Sequence, residues 1–149
     1  MNRKKLLYAC GIMDSVRDEP SIMTGWRNKT KDFFAENGGS IEILDPCRRP
    51  HSEDCTLSDK EIFELDMIDV KRSDLLLADC RLHEGRSQFG TPCEIISASY
   101  FWNKPVIGWY NKDEGYREKS VFQNVLISNM FPSLEEALEH ILDFYACDI

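Results

Sequence analysis

The stretch from Asp74 to Trp109, DLLLADCRLHEGRSQFGTPCEIISASYFWNKPVIGW, restricts the fold of this chain more than any other. It reads as a buried strand over Asp74–Cys80, a polar loop over Arg81–Gly90, a helix over Thr91–Trp102 and a second buried strand over Pro105–Trp109. A strand, loop, helix and strand of this kind imply a parallel sheet with its ligand crevice above the carboxyl ends of the strands. Glu94 falls in the first turn of that helix, directly after the loop.

The flanking segments repeat the alternation. Lys5–Gly11 (KLLYACG) is an apolar first strand, and Ile12–Ser21 is a charged loop. Thr24–Asn37 carries Trp26, Phe33 and Phe34 at helical spacing and stops at Asn37-Gly38-Gly39. Ser40–Asp45 is a second strand closed by Pro46, followed by an exposed loop over Cys47–Thr56. Ser58–Lys71 is a helix whose Ser58 and Glu61 match a capping box. After Trp109 come a polar excursion (Asn111–Lys119), a fifth strand (Val121–Ser128) and an amphipathic closing helix (Pro132–Tyr145). With no repeat, linker or low-complexity tract, residues 1–149 read as one domain. The predicted architecture is an α/β three-layer sandwich with a five-stranded parallel sheet, flavodoxin-like or Rossmann-like.

Charge narrows the partners. A formal net charge of −8 argues against a nucleic-acid polymer, because a phosphate backbone needs a basic surface. No apolar run reaches the roughly 20 residues of a membrane span. The opening MNRKKLLYACGIMDS meets Asp14 before any small-residue cleavage site, so it reads as strand one of a cytoplasmic protein. The six cysteines include no CxxC pair and read as free thiols. His51 and Cys55 lack a second ligand pair at zinc spacing, so neither a metal nor another cofactor is expected.

Several residues carry chemistry. Thr91-Pro92-Cys93-Glu94 matches a capping box with proline at the first helical position, so Glu94 has a purely local use, bonding the Thr91 amide. The competing expectation is a carboxylate turned into the crevice, able to attack an electron-poor carbon or stabilise a cationic transition state. Asp66 falls within the apolar arc of its helix (Ile62, Phe63, Leu65, Met67, Val70), where a carboxylate is costly unless paired or used; the plainer alternative puts it at the rim, bonding a loop amide. Tyr8, inside the first strand, lies low in the same crevice or is a core tyrosine. Ser15, Arg17 and Arg27 follow strand one, and Ser87, Gln88 and Thr91 precede the helix, where loop amides and a helix start hold anions. Gly90 serves backbone shape. The helix Thr91–Trp102 is apolar nearly all round, which predicts deep burial or a subunit contact.

Taken together, these positions resemble the nucleoside 2-deoxyribosyltransferase family. The resemblance runs through Tyr8 and Gly11, Trp26-Arg27, Asp45-Pro46, Asp66 eight residues before Asp74, Gly90-Thr91 with Glu94, and the Lys104–Ile107 strand. It covers most of the chain, from about Tyr8 to Trp109. The resemblance implies a glycosyltransferase that works on a nucleoside or nucleotide and a free nucleobase. Glu94 attacks the anomeric carbon to form a glycosyl-enzyme, Asp66 contacts or protonates the departing base, and Tyr8 orients Glu94. A second base or water then takes the sugar. Gly11, Trp26 and Asp45 join the substrate-binding residues on the same ground, and a homo-oligomer, dimer or larger, is implied.

One departure matters. Many of these transferases have Asp-Ser-Gly-Thr before the glutamate, whereas this chain has Gln88-Phe89-Gly90-Thr91. Some related nucleotide N-glycosidases lack that aspartate too and hold a 5′-phosphate with a small polar residue, a part that Ser15, Arg17 and Ser87 fit here. Hydrolysis of a nucleoside 5′-monophosphate is therefore the alternative within enzymes. A non-catalytic nucleotide-binding or sensor module is the alternative outside them, since this architecture hosts many functions.

Overall fold

The computed structural model describes residues 3–49, 56–86, 88–114 and 121–146. Five strands, β1 (Lys5–Cys10), β2 (Ile41–Leu44), β3 (Leu75–Asp79), β4 (Val106–Trp109) and β5 (Asn129–Phe131), form one sheet. Its order is β2-β1-β3-β4-β5, and every adjacent pair is parallel. The helices are α1 (Pro20–Glu36), α2 (Asp59–Arg72), α3 (Gly90–Ile96), α4 (Val121–Leu126) and α5 (Leu134–Tyr145). None of the described helices is long and apolar enough to cross a membrane.

Side-chain alternation along the strands divides the interior in two. Leu7 and Ala9 of β1 and Leu75 and Leu77 of β3 meet Trp26 and Phe34 of α1 and Leu138 and Ile141 of α5. Tyr8 and Cys10, with Leu76 and Ala78, point to the opposite face and meet Val70 of α2 and Ile95 of α3. The result is the three-layer α/β sandwich expected from the sequence. The chain passes from β1 to β2 on one side and then crosses back from β2 to β3 on the other side of β1, so the switch point of the sheet lies at the carboxyl ends of β1 and β3.

Arg27 fixes the end of β1. It is fully buried in α1, and its Nε and Nη2 donate to the Ala9 and Gly11 carbonyls at 3.1 Å each. Its Nε also lies 3.6 Å from Asp45, which caps the 3-10 turn Pro46–Arg48 and pairs with Lys31. Five guanidinium donors in one plane let a single side chain satisfy carbonyls on two sides of a turn.

Four segments differ from expectation. Val121–Ser128 is not a strand: α4 occupies Val121–Leu126, and the edge strand is the shorter Asn129–Phe131. Val121, Phe122, Val125 and Leu126 repeat at helical offsets, a pattern that a short apolar run does not separate from a strand. Helix α1 starts at Pro20 rather than Thr24, with proline in the first turn, where its missing N–H costs nothing. The helix expected over Thr91–Trp102 is α-helical over Gly90–Ile96 and continues as a π turn over Ser97–Phe101. Tyr100 and Phe101 are exposed there, so its apolar character does not translate into deep burial in the chain. Finally, Cys47–Arg49 is no free loop, because Arg48 and Arg49 are both ion-paired to α2. The capping box of α2 forms as expected, with Ser58 and Glu61 bonding each other's backbone N–H.

Replacing Arg27 by methionine keeps the bulk but leaves Asp45 one cation short and removes the guanidinium donor from the Ala9, Gly11 and Met23 carbonyls. We expect a loss of about 3 kcal/mol or more. A urea titration checks it: the midpoint falls while the slope stays that of the parent protein.

Candidate active site

The first turn of α3 runs past the carboxyl end of β1, and Glu94 turns away from its own helix. The Tyr8 hydroxyl donates to Oε1 at 2.9 Å, and the Cys10 thiol donates to Oε2 at 3.0 Å. The capping box read from Thr91 and Glu94 does not form. Thr91 lies inside the helix, buried, and α3 has no side-chain cap at its start.

Glu94 lines a hollow of about 190 Å³ together with Asp66, Gly11, Ser15, Gln88 and Thr91. An adjoining hollow of about 390 Å³ shares Glu94, Asp66 and Gly90 and adds Arg17 and Asp59. The neighbouring apolar cavity of about 380 Å³ beside α4 touches this site through Gln88 and Thr91. Its one carboxylate, Asp79, is taken up by a two-pronged bond from Arg81 at 2.9 and 2.8 Å.

Electrostatics single out the same carboxyl. Burial, more than any other cause, pushes Glu94 up to about 7, and the charge of Asp66 adds to that. The hydrogen bonds from Cys10 and Tyr8 and the charge of Arg27 pull it back down. Burial also raises the Tyr8 hydroxyl and the Cys10 thiol well above their ordinary values, followed in each case by the Glu94 charge. Both groups therefore keep their protons and remain donors. Asp66 is not left alone among apolar neighbours, because Arg49 forms an ion pair with it.

Most of the residues read from the sequence meet here. Glu94, Asp66, Gly11, Ser15, Gln88, Gly90 and Thr91 line the first hollow, Arg17 lines the second, and Tyr8 reaches Glu94 from beneath. Gly11 has no room for a side chain: a Cβ would stand 2.9 Å from the Trp26 ring and 3.0 Å from the Asp79 Cβ. Trp26 and Asp45 lie elsewhere. Trp26 packs against Trp109 with ring centroids 5.8 Å apart, on the other side of the sheet. Asp45 is occupied by Lys31, Arg27 and the Cys47 amide. Ser87 and the pair His51 and Cys55 lie outside the described residues.

Two contributors were not picked out in the sequence. Cys10 reads there only as a small hydrophobe, although it stands two residues from Tyr8 on one strand and so shares its face. Arg49 reads as loop, although the carboxylates at Asp66 and Asp69 on a half-apolar helix required a cation somewhere.

No protein-family model matches the sequence, and no curated protein matches it. Solved structures do. A conserved protein from Enterococcus faecalis V583 superposes with a TM-score of 0.71 at 18% identity, over 93% of this chain and 98% of that one. A 2-deoxyribosyltransferase from Leishmania mexicana gives 0.67 at 13% identity, over 95% and 99%. A CMP N-glycosidase from Clostridium botulinum gives 0.57 at 20% identity, over 95% and 99%. The chain thus has the fold of these proteins, in agreement with the family that its sequence resembles.

A carboxyl group raised from 4.5 to about 7 binds its proton more tightly in the folded protein than in the unfolded one. Its contribution to stability is therefore present below about pH 4.5 and falls as pH rises to about 7, by at most about 3 kcal/mol. Glu94→Gln removes this decline. Chemical denaturation at pH 4.5, 6 and 7.5 should show a smaller loss of stability with rising pH in the variant than in the parent.

Proposed function

We propose that the protein cleaves the N-glycosidic bond of a deoxynucleoside and transfers the 2-deoxyribosyl group to another base through a glycosyl ester on Glu94. The observation that carries this is the carboxylate itself, held from below by Tyr8 and Cys10 and open to a hollow that it shares with Asp66. Glycosidic cleavage passes through an oxocarbenium-like state, which a fixed carboxylate both stabilises and captures. In the first step a Glu94 oxygen bonds to the anomeric carbon, and the C–N bond breaks with its electrons going to the base. Asp66, ion-paired to Arg49, faces the departing base as an acceptor for its N–H groups. In the second step the nitrogen of an incoming base attacks the same carbon, the ester bond breaks, and Glu94 recovers its charge; the proton this nitrogen gives up balances the one the departing base takes from water or through Asp66, so no net proton is consumed.

Further support comes from the neighbours: the Leishmania mexicana protein is described as a 2-deoxyribosyltransferase. A second reading, release of the base from a nucleoside 5′-monophosphate, is favoured by one feature. Gln88 puts a neutral amide at the first hollow where the resembling transferases have a carboxylate, while Ser15 and Arg17 line the two hollows. The Clostridium botulinum neighbour is a CMP N-glycosidase. We also read the chain as one cytoplasmic domain that self-associates through the exposed apolar side of Ser97–Phe101.

Glu94→Gln and Glu94→Ala are expected to lower turnover at least about 10³-fold with the fold retained. Asp66→Asn is expected to slow it about 10²-fold. In the parent, kcat/KM rises with pH through about 7 as Glu94 ionises. Mass spectrometry of deoxynucleosides with a second free base, run beside deoxynucleoside monophosphates alone, separates the readings. Exchanged nucleoside supports transfer, and free base from monophosphate supports hydrolysis. Saturable binding without turnover or glycosyl-enzyme in either arm would leave only a binding module.

A further inference from the structure

We propose that Cys10 is a positioning residue for Glu94, its thiol fixing Oε2 while the Tyr8 hydroxyl fixes Oε1. This deepens the assignment of Glu94 as nucleophile and rests on it for its catalytic meaning. The contact itself, 3.0 Å from Sγ to Oε2, belongs to the structure whatever the reaction.

The strand makes the arrangement rigid. Cys10 is the last residue of β1 and is fully buried; Tyr8, two residues earlier, points to the same face. Both carboxylate oxygens are thus held from one edge of a parallel sheet, while the carboxylate arrives from the start of α3. A single donor at Tyr8 would leave Glu94 free to swing about that bond. Two donors on two oxygens fix its plane.

The thiol has one proton and two acceptors within reach, Glu94 Oε2 and, at 3.7 Å, the Thr91 carbonyl oxygen. The nearer acceptor carries charge, so the proton goes there whenever Glu94 is ionised. Once Glu94 is neutral, by protonation or as a glycosyl ester, that preference weakens and the Thr91 carbonyl competes for the proton. Cys10 therefore favours the free carboxylate, the form that attacks at the start of the reaction and leaves at its end. A thiol is also a weaker donor than a hydroxyl. It orients the carboxylate with less loss of nucleophilicity than a second hydroxyl would cause.

The groups that act on Glu94 are Tyr8 and Cys10 from β1, Asp66 from α2 and Arg27 from α1. Substituting Cys10 changes one of these and leaves the other three in place. Cys10→Ala deletes the donor, and Cys10→Ser replaces it with a stronger one of nearly the same size.

The test is a carboxyl titration by ¹³C NMR on substrate-free, glutamate-labelled protein, with the Glu94 signal assigned from Glu94→Gln. Cys10→Ala should titrate about half a unit or more above the parent, and Cys10→Ser at or below it. In turnover, Cys10→Ala should lower kcat roughly tenfold with KM nearly unchanged, and Cys10→Ser should restore most of it. One midpoint shared by all three proteins would overturn the proposal. So would a Cys10→Ser midpoint raised alongside that of Cys10→Ala, because a packing defect and not a lost donor would then be the cause. Cys10→Ser keeps the test open if Cys10→Ala is unstable. A parent without turnover would defeat the function proposed above, yet the titration would still decide for or against Cys10.

Discussion

A carboxylate in a low-dielectric hollow keeps its charge only where donors meet it, and here both donors are side chains two residues apart on one strand. Tyr8 and Cys10 can do this because β1 is a central strand with α-helices on both faces, so alternate residues enter different layers. A comparison of magnitudes accounts for the direction Glu94 takes. Bonding its own helix start is a capping contact of about 1 kcal/mol. Two hydrogen bonds to a charged group are each about 1.5–3 kcal/mol. The contacts to β1 win, and α3 begins without a side-chain cap. A helix that starts without a side-chain cap while its glutamate bonds the neighbouring strand is a local inconsistency of the kind that marks functional sites.

Apart from Arg17, which lines the second hollow, the arginines around the crevice are scaffold. Arg27 closes the end of β1, Arg48 and Arg49 clamp the acidic face of α2, and Arg81 is spent on Asp79. Asp69, almost fully buried, takes Arg48, Arg49 and Arg72 together. Through Arg49 the same network reaches Asp66, so the second acid of the hollow is positioned by the residues that hold α2 against the end of β2. The position of Asp66 and the packing of α2 are consequently one problem, and a change at Arg49 disturbs both.

The sheet, its order of strands and helices and the place of Glu94 were legible because each rests on a local signal: apolar runs, Gly and Pro punctuation, and a helix start after a polar loop. What was not legible depends on tertiary partners. The Thr91–Glu94 pattern is a valid capping box in isolation, and only β1 pulls the glutamate away. Val121–Ser128 is too short for its periodicity to choose between strand and helix. Trp26 and Asp45 were attached to the site by resemblance alone, and they sit where sequence spacing says nothing about side: one in the α1/α5 layer, the other at the end of β2. Cys10 was readable in principle, since a strand that sends Tyr8 to the crevice sends Cys10 there as well.

The two faces of the sheet also divide the work. The α1/α5 side packs large apolar and aromatic side chains and keeps its polar members, Arg27 and Asp45, tied to backbone and to each other. The α2/α3 side, at the same strand ends, gathers Tyr8, Cys10, Glu94 and Asp66 around open space. Neighbours that share 13–20% of their residues with this chain keep the same outline because the outline needs only apolar layers of the right period. The candidate site needs far less sequence: Tyr8 and Cys10 at the end of one strand, Asp66 on α2 and Glu94 on α3. Beside that small set Gln88 is the informative position, because an uncharged amide there leaves Asp66 and Glu94 as the acids of the first hollow. On the function proposed above, the loop before α3 and Ser15 and Arg17 after β1 would decide between nucleosides and their phosphates, while the carboxylate held by Tyr8 and Cys10 would serve either reaction.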